Sequence, residues 1–487
     1  MASSASLSPA VSPTALPLSI GLLSYASALA RGNALLADPD VYLHIAVGRL
    51  IISQKFVPHT DVFSYSMQDS HWVAHEWLSE IIFAFVYDHL GWAGLFIVVG
   101  IAFALAMALL ARALLKYLAP IYAVIATLTA WGLCFPSLVA RPHVLTLPIV
   151  VAWVSILVQA RATNKAPPAL AALLMLLWAN LHGSFVIGLV LAALFAGEAL
   201  FNVADRHAAR TVIIGWGIFG LLALAATFVT PNGAAGVLLP VQMTRMNFTL
   251  SQISEWQSPN FQRPQPLEIW LMLLLFGTLL LGITIPIERI VMLLVLLHLA
   301  LLHQRHTMLL GVVTPLLFAP SLGRQLAHQP EKLVESYFKG VFTAVSSVGA
   351  RLSGVAAALI LACAVTLAQR GNPRGAARFT PAAALAAVRL HQITGPVFND
   401  FNFGGFLIFS AVPVFIDGRV DVYGDDFLRR YLRPEELPGL LSQYHISWTI
   451  LGTAHPDVAL LDHLPGWRRF YADSTAIVHI RETTTSP

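Results

Sequence analysis

Ala37-Asp38-Pro39-Asp40-Val41-Tyr42-Leu43-His44 puts two carboxylates and a histidine directly after the first apolar run of a chain that otherwise avoids charge. Ionisable groups beside apolar helices are expensive to place, so they mark functional sites by default. Asp40, with Asp38 second, reads as the catalytic carboxylate of a membrane enzyme. The plain alternative is a solvated interfacial turn in which Pro39 breaks a helix. The composition around the stretch sets the class. Of 487 residues 57% are hydrophobic and 11% charged, with mean hydropathy +0.71, whereas soluble domains carry about 25% charged residues. The chain reads as an α-helical polytopic membrane protein. A net charge of +4 with scattered basic residues points away from nucleic acid. Cys134 and Cys363 lie in apolar runs without metal-site spacing and read as packing residues.

Working outward, residues 1–17 hold no lysine or arginine, so the run 15–33 reads as a retained first helix and not a secretory signal. Apolar runs of membrane-spanning length follow at 92–117, 120–138, 143–161, 167–181, 184–203, 211–229, 267–283, 288–302, 306–322 and 352–369, about eleven spans in all. With the N-terminus in the cytoplasm, the loops holding Arg112 and Lys116, Arg161 and Lys165, Arg206 and Arg210, Arg289, and Arg324, Lys332 and Lys339 all fall inside. Polar residues from the remaining loops then share the outer face. These are Asp38 and Asp40, His75-Glu76-Trp77, Arg141-Pro142-His143, Asn180-Leu181-His182-Gly183, Glu255-Trp256 in a 230–266 loop, and His303-Gln304-Arg305-His306.

The long loop 34–91 within the membrane domain 1–370 reads as two interfacial helices. The first covers 41–52, with Asp40 at its N-terminus where the helix dipole favours a carboxylate, and the second follows Trp72 and ends near Gly91. From residue 371 to 487 the composition becomes that of a small soluble α/β domain, extracytoplasmic for an odd number of spans. Its expected helices are 380–389 and 434–443, and its expected strands 397–400, 404–408, 412–416, 447–451 and 476–480. Asp417-Gly418-Arg419 reads as a turn with an internal ion pair.

Asp38-Pro39-Asp40 with His44 and Gly48, then Pro58, Asp61, Ser64, Trp72 and His75-Glu76-Trp77-Leu78, resembles the first external loop of a bacterial family of integral membrane glycosyltransferase-like proteins in the GT-C superfamily. The resemblance continues in order through Arg141-Pro142-His143, Trp178 to Gly183, Pro231-Asn232-Gly233, Glu255-Trp256 and Gly404-Gly405 to Arg419, which is most of the chain. That superfamily includes aminoarabinose transferases, protein O-mannosyltransferases and oligosaccharyltransferases. The resemblance implies a first-loop carboxylate and a polyprenyl-phosphate-linked sugar donor. With it goes inverting transfer to a lipid, glycan or protein acceptor on the outer face of the bacterial inner membrane.

Such a transfer needs a base for the acceptor proton and cations for the departing phosphate. Asp40, then Asp38, is the expected base. Arg141, Arg305 and His306 are the phosphate candidates, since a guanidinium fork matches phosphate oxygens. His44, Glu76, His143, Asn180, His182 and Glu255 would position substrate. No cofactor follows with certainty; a divalent ion is compatible with Asp38, Asp40, Glu76 and His182. Each residue has a structural alternative. Arg141 could be a snorkelling anchor, Asn180 and His182 could satisfy freed backbone groups, and Glu255 could sit beside a belt tryptophan. A transporter or flippase of lipid-linked sugars, with broken mid-membrane helices, and a non-catalytic assembly subunit are the competing classes.

Overall fold

The computed structural model describes residues 14–203, 205–327 and 377–482. Helices apolar on most of their circumference bury against one another. They are α1 (Ala15–Ala30), α2 (Val41–Gln54), α3 (Trp77–Leu90), α4 (Trp92–Leu114), α5 (Pro120–Cys134), α6 (Pro142–Ala162), α7 (Ala172–Leu181), α8 (Phe185–Phe201), α9 (Arg206–Thr227), α10 (Gly233–Met243), α11 (Asn247–Gln252), α12 (Pro266–Leu281), α13 (Ile287–Leu302) and α14 (Thr307–Leu326). Each expected span within the described residues is helical, and the run 352–369 lies outside them, as does Cys363. Among the described residues, five helical stretches are long and apolar enough to cross a membrane: Trp92–Leu114, Pro120–Ser137, Pro142–Ala162, Arg206–Thr227 and Gln304–Leu326. Cys134 is buried, its thiol against the Met308 carbonyl at 3.6 Å, as a packing residue would be.

The polar side chains of the bundle segregate to its two ends. Arg141 precedes α6 and His303 follows α13, whereas at the opposite ends of those helices Arg161 and Arg289 converge on Glu198 of α8, at 3.5 and 3.0 Å. The 230–266 segment is not a loop, because α10 and α11 occupy half of it. The expected helices of the 34–91 loop form as α2 and α3, and they touch where α2 lacks a side chain. A Cβ on Gly48 would fall 2.0 Å from the Glu80 carbonyl oxygen. One turn before Gly48 on the same face is His44, so this close approach brings His44 against Glu80.

The tail folds as α15 (Ala382–Leu390), β1 (Val397–Asn399), α16 (Gly404–Phe409), α17 (Val420–Tyr431), α18 (Leu437–Gln443), β2 (Trp448–Gly452), α19 (Asp457–Leu461), β3 (Trp467–Ala472) and β4 (Ala476–Arg481). The sheet order is β1-β2-β4-β3, with β1 parallel to β2 and the other pairs antiparallel. Two expected strands are corrected. Residues 404–408 form helix α16, which packs on α2 with Phe406 and Phe409 each edge-on to Tyr42 at 5.3 Å. An apolar run buried all round satisfies either structure, and contact with α2 selects the helix. Residues 412–416 form no strand of the sheet, and Val414 makes an isolated bridge to the first loop: Val414 N donates to Phe63 O and Tyr65 N to Val414 O, both at 3.1 Å.

A buried ion cluster completes this junction. Arg419 donates through Nε to Asp417 Oδ1 (2.8 Å), through NH2 to Asp417 Oδ2 (2.6 Å) and through NH1 to Asp61 Oδ1 (2.6 Å). Its guanidinium lies over Trp72 at 4.6 Å, and Tyr423 donates to Asp417 at 2.7 Å. The expected internal pair is present, and Asp61 of the first loop enlarges it. Buried charges persist only when the remaining lone pairs and protons are satisfied, a condition the Ser64 hydroxyl and the Phe63 and Arg419 amides help to meet.

Candidate active site

The corner is built from backbone constraints. The single turn Gly32–Leu36 ends with the Leu35 carbonyl accepting from Ala140 N at 2.7 Å, which fixes the Asp38 stretch beside Arg141. Pro142 occupies the first position of α6 and holds Arg141 extended at the N-cap (φ −128°, ψ 153°). Asp38 Oδ1 accepts from Asp40 N at 2.9 Å, forming an Asx turn. Asp40 is the N-cap of α2 but makes no side-chain cap bond, which leaves its carboxylate for the cavity.

Arg141 gathers three carboxylates. Its Nε lies 2.5 Å from Asp38 Oδ2, its NH2 2.9 Å from Asp40 Oδ2, and its NH1 bonds Glu255 Oε2. Glu255 also faces Arg305 NH1 at 3.4 Å, and the Arg305 guanidinium stacks on Trp256 at 4.4 Å. The two connectors are sewn together by Gln304 N donating to Gln257 O (3.0 Å) and by His303 Nδ1 at 2.5 Å from Trp256 O. Ser184 N donates to His182 Nδ1 at 3.1 Å, so the His182 proton belongs on Nε2, which points to Glu76 Oε1 at 3.4 Å.

Burial pushes the Asp40 carboxyl up, and Asp38 and Glu255 add to the push. Arg141 and His44 oppose it, and the balance lies at about 6. Burial works against the His44 imidazolium, yet the hydrogen bond to Glu80 and the charges of Glu76, Glu80 and Asp40 outweigh it and raise its pKa to about 9. Glu255 is held below the ordinary carboxylate range: burial would raise it, but Arg141 and Arg305 prevail. Burial and the neighbouring Arg305 keep His182 neutral.

These groups open onto one cavity of about 1400 Å³, bounded by both the bundle and the tail. Its wall includes Asp40, Glu76, Arg141, Glu255, Arg305 and, from the tail, Asp421. One metal-competent cluster occurs among the described residues. Ligand atoms of His44, Glu76 and Glu80 lie within 4.8 Å of one another, and Glu80 Oε2 is buried without a hydrogen-bond partner. One imidazole and two carboxylates, with one oxygen orphaned, suit a divalent cation.

No protein-family model matches the chain, and no curated protein sequence matches it. Solved structures do match in fold. The oligosaccharyltransferase AglB from Archaeoglobus fulgidus, in complex with an inhibitory peptide and a dolichol-phosphate, superposes with TM-score 0.50 at 12% identity over 97% of this chain and 75% of its own. An apo form of the Archaeoglobus fulgidus enzyme gives 0.51 at 11% identity, covering 97% of this chain and 75% of its own. ArnT from Cupriavidus metallidurans, bound to undecaprenyl phosphate, gives 0.52 at 12% identity over 95% of this chain and 97% of its own.

The chain shares the fold of AglB and ArnT.

Within this fold the residues expected from sequence are sorted by their contacts. Asp38, Asp40, His44, Glu76, Arg141, His143, His182, Glu255, Arg305 and His306 all line the cavity. Asn180 does not. Its Oδ1 accepts from Trp77 Nε1 at 2.8 Å and its Nδ2 donates to Leu176 O and Val229 O, so it clamps helices together. Arg141, expected among the phosphate-binding groups, has Asp38, Asp40 and Glu255 on its guanidinium. The metal-competent set differs from the expected one: Glu76 is shared, but His44 and Glu80 replace Asp38, Asp40 and His182. Glu80 was legible as the residue one helical turn after Glu76. Gly418 and Asp421 carried no such signal. A Cβ on Gly418 would fall 2.1 Å from Asp40 Oδ1, which puts the tail in contact with the proposed base.

Proposed function

We propose that this GT-C chain is a membrane glycosyltransferase that moves a sugar from a polyprenyl-phosphate carrier to an acceptor, with inversion and with Asp40 as base. The observation that bears most weight is the Asp40 carboxylate on the wall of a large cavity, clamped by Arg141 and poised near pH 6. A general base works best when its pKa lies near the operating pH. A pocket for one drug-sized ligand takes about 300–1,000 Å³, so a cavity of about 1400 Å³ has room for a donor head group and an acceptor together.

In the proposed step the acceptor oxygen forms a bond to the anomeric carbon, and its proton passes to Asp40. The bond from that carbon to the phosphate oxygen breaks, and its electron pair leaves with polyprenyl phosphate. Attack and departure on opposite faces invert the centre. The charge that develops on the phosphate lies within reach of Arg305, with His306 beside it. Arg305 is the better choice than Arg141, since its ion pair to Glu255 is long and its stacking on Trp256 leaves donors free. A divalent ion held by His44, Glu76 and Glu80 would supply Lewis-acid stabilisation of phosphate oxygens. The location on the outer face of a bacterial inner membrane is supported by the concentration of site residues at one end of the bundle and the basic loops at the other.

The test is reconstitution of the purified protein in vesicles with a radiolabelled polyprenyl-phosphate-linked sugar and a membrane extract as acceptor. Release of free polyprenyl phosphate, at least tenfold slower in Arg305→Ala, supports the reading. Movement of intact donor across the bilayer without any release would replace it with the flippase reading.

A further inference from the structure

The cavity does not end at Asp40. It continues outward past Gly418 and Asp421 to the carboxyl ends of the parallel strands β1 and β2, where the segments following Asn399 and Gly452 form its wall. Crevices outside the carboxyl ends of parallel strands are habitual ligand sites. Asp400 fixes the crevice, since its Oδ2 accepts from Gly452 N at 3.2 Å and its Oδ1 from Asn402 N at 2.9 Å.

Two carboxylates in this arm lack side-chain partners that would explain them. Asp457 is 2% exposed and lines the cavity, yet no described group donates a hydrogen bond to its carboxylate. Its nearest cation-capable atom, His455 Nδ1 at 3.7 Å, is itself the acceptor for Asp457 N at 3.3 Å. Asp421 also lines the cavity and takes a hydrogen bond only from its own backbone amide. Burial raises the pKa of both. A buried acceptor without a donor costs about 1–3 kcal/mol, so Asp457 calls for a ligand that donates, and the half-buried Asp421 offers a second acceptor on the same wall. The carboxylates outnumber the uncommitted cations among the described residues of this arm. Arg378 stacks on Phe379 at 4.4 Å, and Arg419 is committed to Asp61 and Asp417. The remaining wall offers the amide of Asn402, the hydroxyls of Thr453 and Thr475, and the ring of Phe401.

The geometry points to this outer arm as the acceptor site, built for an uncharged polyhydroxyl group, the sugar end of a glycan, held through its hydroxyls by Asp457 and Asp421. A carboxylate accepts from adjacent hydroxyls, neutral amide and hydroxyl side chains pair with the rest, and an aromatic ring covers an apolar sugar face. A phosphorylated acceptor would meet two carboxylates against the one stacked guanidinium of Arg378 in this arm. Gly418, touching Asp40, makes the arm continuous with the base, so that one hydroxyl can reach it. The inference rests on the transferase reading for the role of the sugar but not for its binding.

The experiment is saturation-transfer NMR on the full chain in nanodiscs. The probes are neutral trisaccharides of glucose, N-acetylglucosamine and mannose, with glucose 6-phosphate beside them. The expected result is transfer to at least one neutral trisaccharide in preference to glucose 6-phosphate, with affinity at least tenfold weaker in Asp457→Asn and in Asp421→Asn and unchanged in Arg305→Ala. Asn402→Ala, on an exposed side chain, gives the same weakening should the buried variants misfold. No transfer to any neutral sugar, equal transfer in the variants, or preference for the phosphosugar would overturn the site. If sugars bind while wild type releases no polyprenyl phosphate, the transferase reading falls and the site stands. If release proceeds without sugar binding, the site falls alone.

Discussion

Arg419→Met removes the cation that joins the tail to the first loop. The side chain it replaces makes two hydrogen bonds to Asp417 and one to Asp61, and both acids are fully buried. Methionine keeps most of the apolar contact under Trp72 but leaves two buried carboxylates with only neutral donors, including the Tyr423 hydroxyl and the Phe63 amide. Breaking a buried pair in this way costs about 3–5 kcal/mol. Protonation bounds the loss, since neutralising one carboxyl of pKa near 4 at pH 7 costs about 4 kcal/mol, at about 1.36 kcal/mol per unit. The pH dependence separates this account from simple loss of packing. In the wild type burial would raise the Asp417 pKa, but Arg419 outweighs it and holds the pKa below the usual range. That contribution to stability is present above the unfolded-state pKa and is lost as pH falls through the folded one. In Arg419→Met burial is left to raise the Asp417 pKa instead, so the variant regains stability as pH falls from 7 to 5. Thermal unfolding in detergent followed by tryptophan fluorescence measures both, with Trp72 as the local reporter. An unchanged melting temperature, or a deficit that deepens on acidification, would refute the reasoning. Adding Asp61→Asn and Asp417→Asn to Arg419→Met is expected to restore most of the loss.

Turnover is expected to fall about tenfold per pH unit below 6 and to level off above it, because the base must be ionised and Asp40 titrates at about 6; a flat profile between pH 5 and 7 would remove Asp40 from that role. Gly418→Ala, whose Cβ would meet Asp40 Oδ1 at 2.1 Å, is expected to displace the carboxylate from Arg141 and lower turnover at least tenfold with little change in melting temperature. Asn180→Ala is expected to lose about 1–3 kcal/mol of stability, since it strands Trp77 Nε1 and removes a donor from Val229 O. Its affinity for polyprenyl phosphate should stay unchanged, and a selective loss of that affinity would return Asn180 to the site.

The parts legible in the sequence are those where charge is costly. Asp38, Asp40, Arg141, Glu255 and Arg305 stood out because each interrupts apolar sequence near a helix end, and the requirement that such groups face one side of a membrane predicted their meeting. Short apolar runs resisted reading for the opposite reason. Residues 404–408 are buried on every side, so neither a period of two nor one of 3.6 shows, and only contact with α2 decides for the helix. Strand β3 escaped because Arg468 and Arg469 give it the look of a loop, whereas an edge strand tolerates charge. Asn180 looked functional because a polar residue at a helical break can serve either backbone or ligand, and hydrogen-bond partners from Trp77 and Val229 are invisible in one dimension. Gly418 is the same case in reverse: its role is an absence of atoms beside Asp40, which only the folded chain reveals.

The central claim is that Asp40 transfers the acceptor proton. It is tested most directly by mass profiling the glycans and lipids of host membranes that carry wild type, Asp40→Asn or no copy of the chain, at equal protein level in the first two. The account predicts that a sugar-sized mass increment present with wild type is absent both from the deletion and from Asp40→Asn. An increment that persists in Asp40→Asn but disappears in the deletion would contradict it.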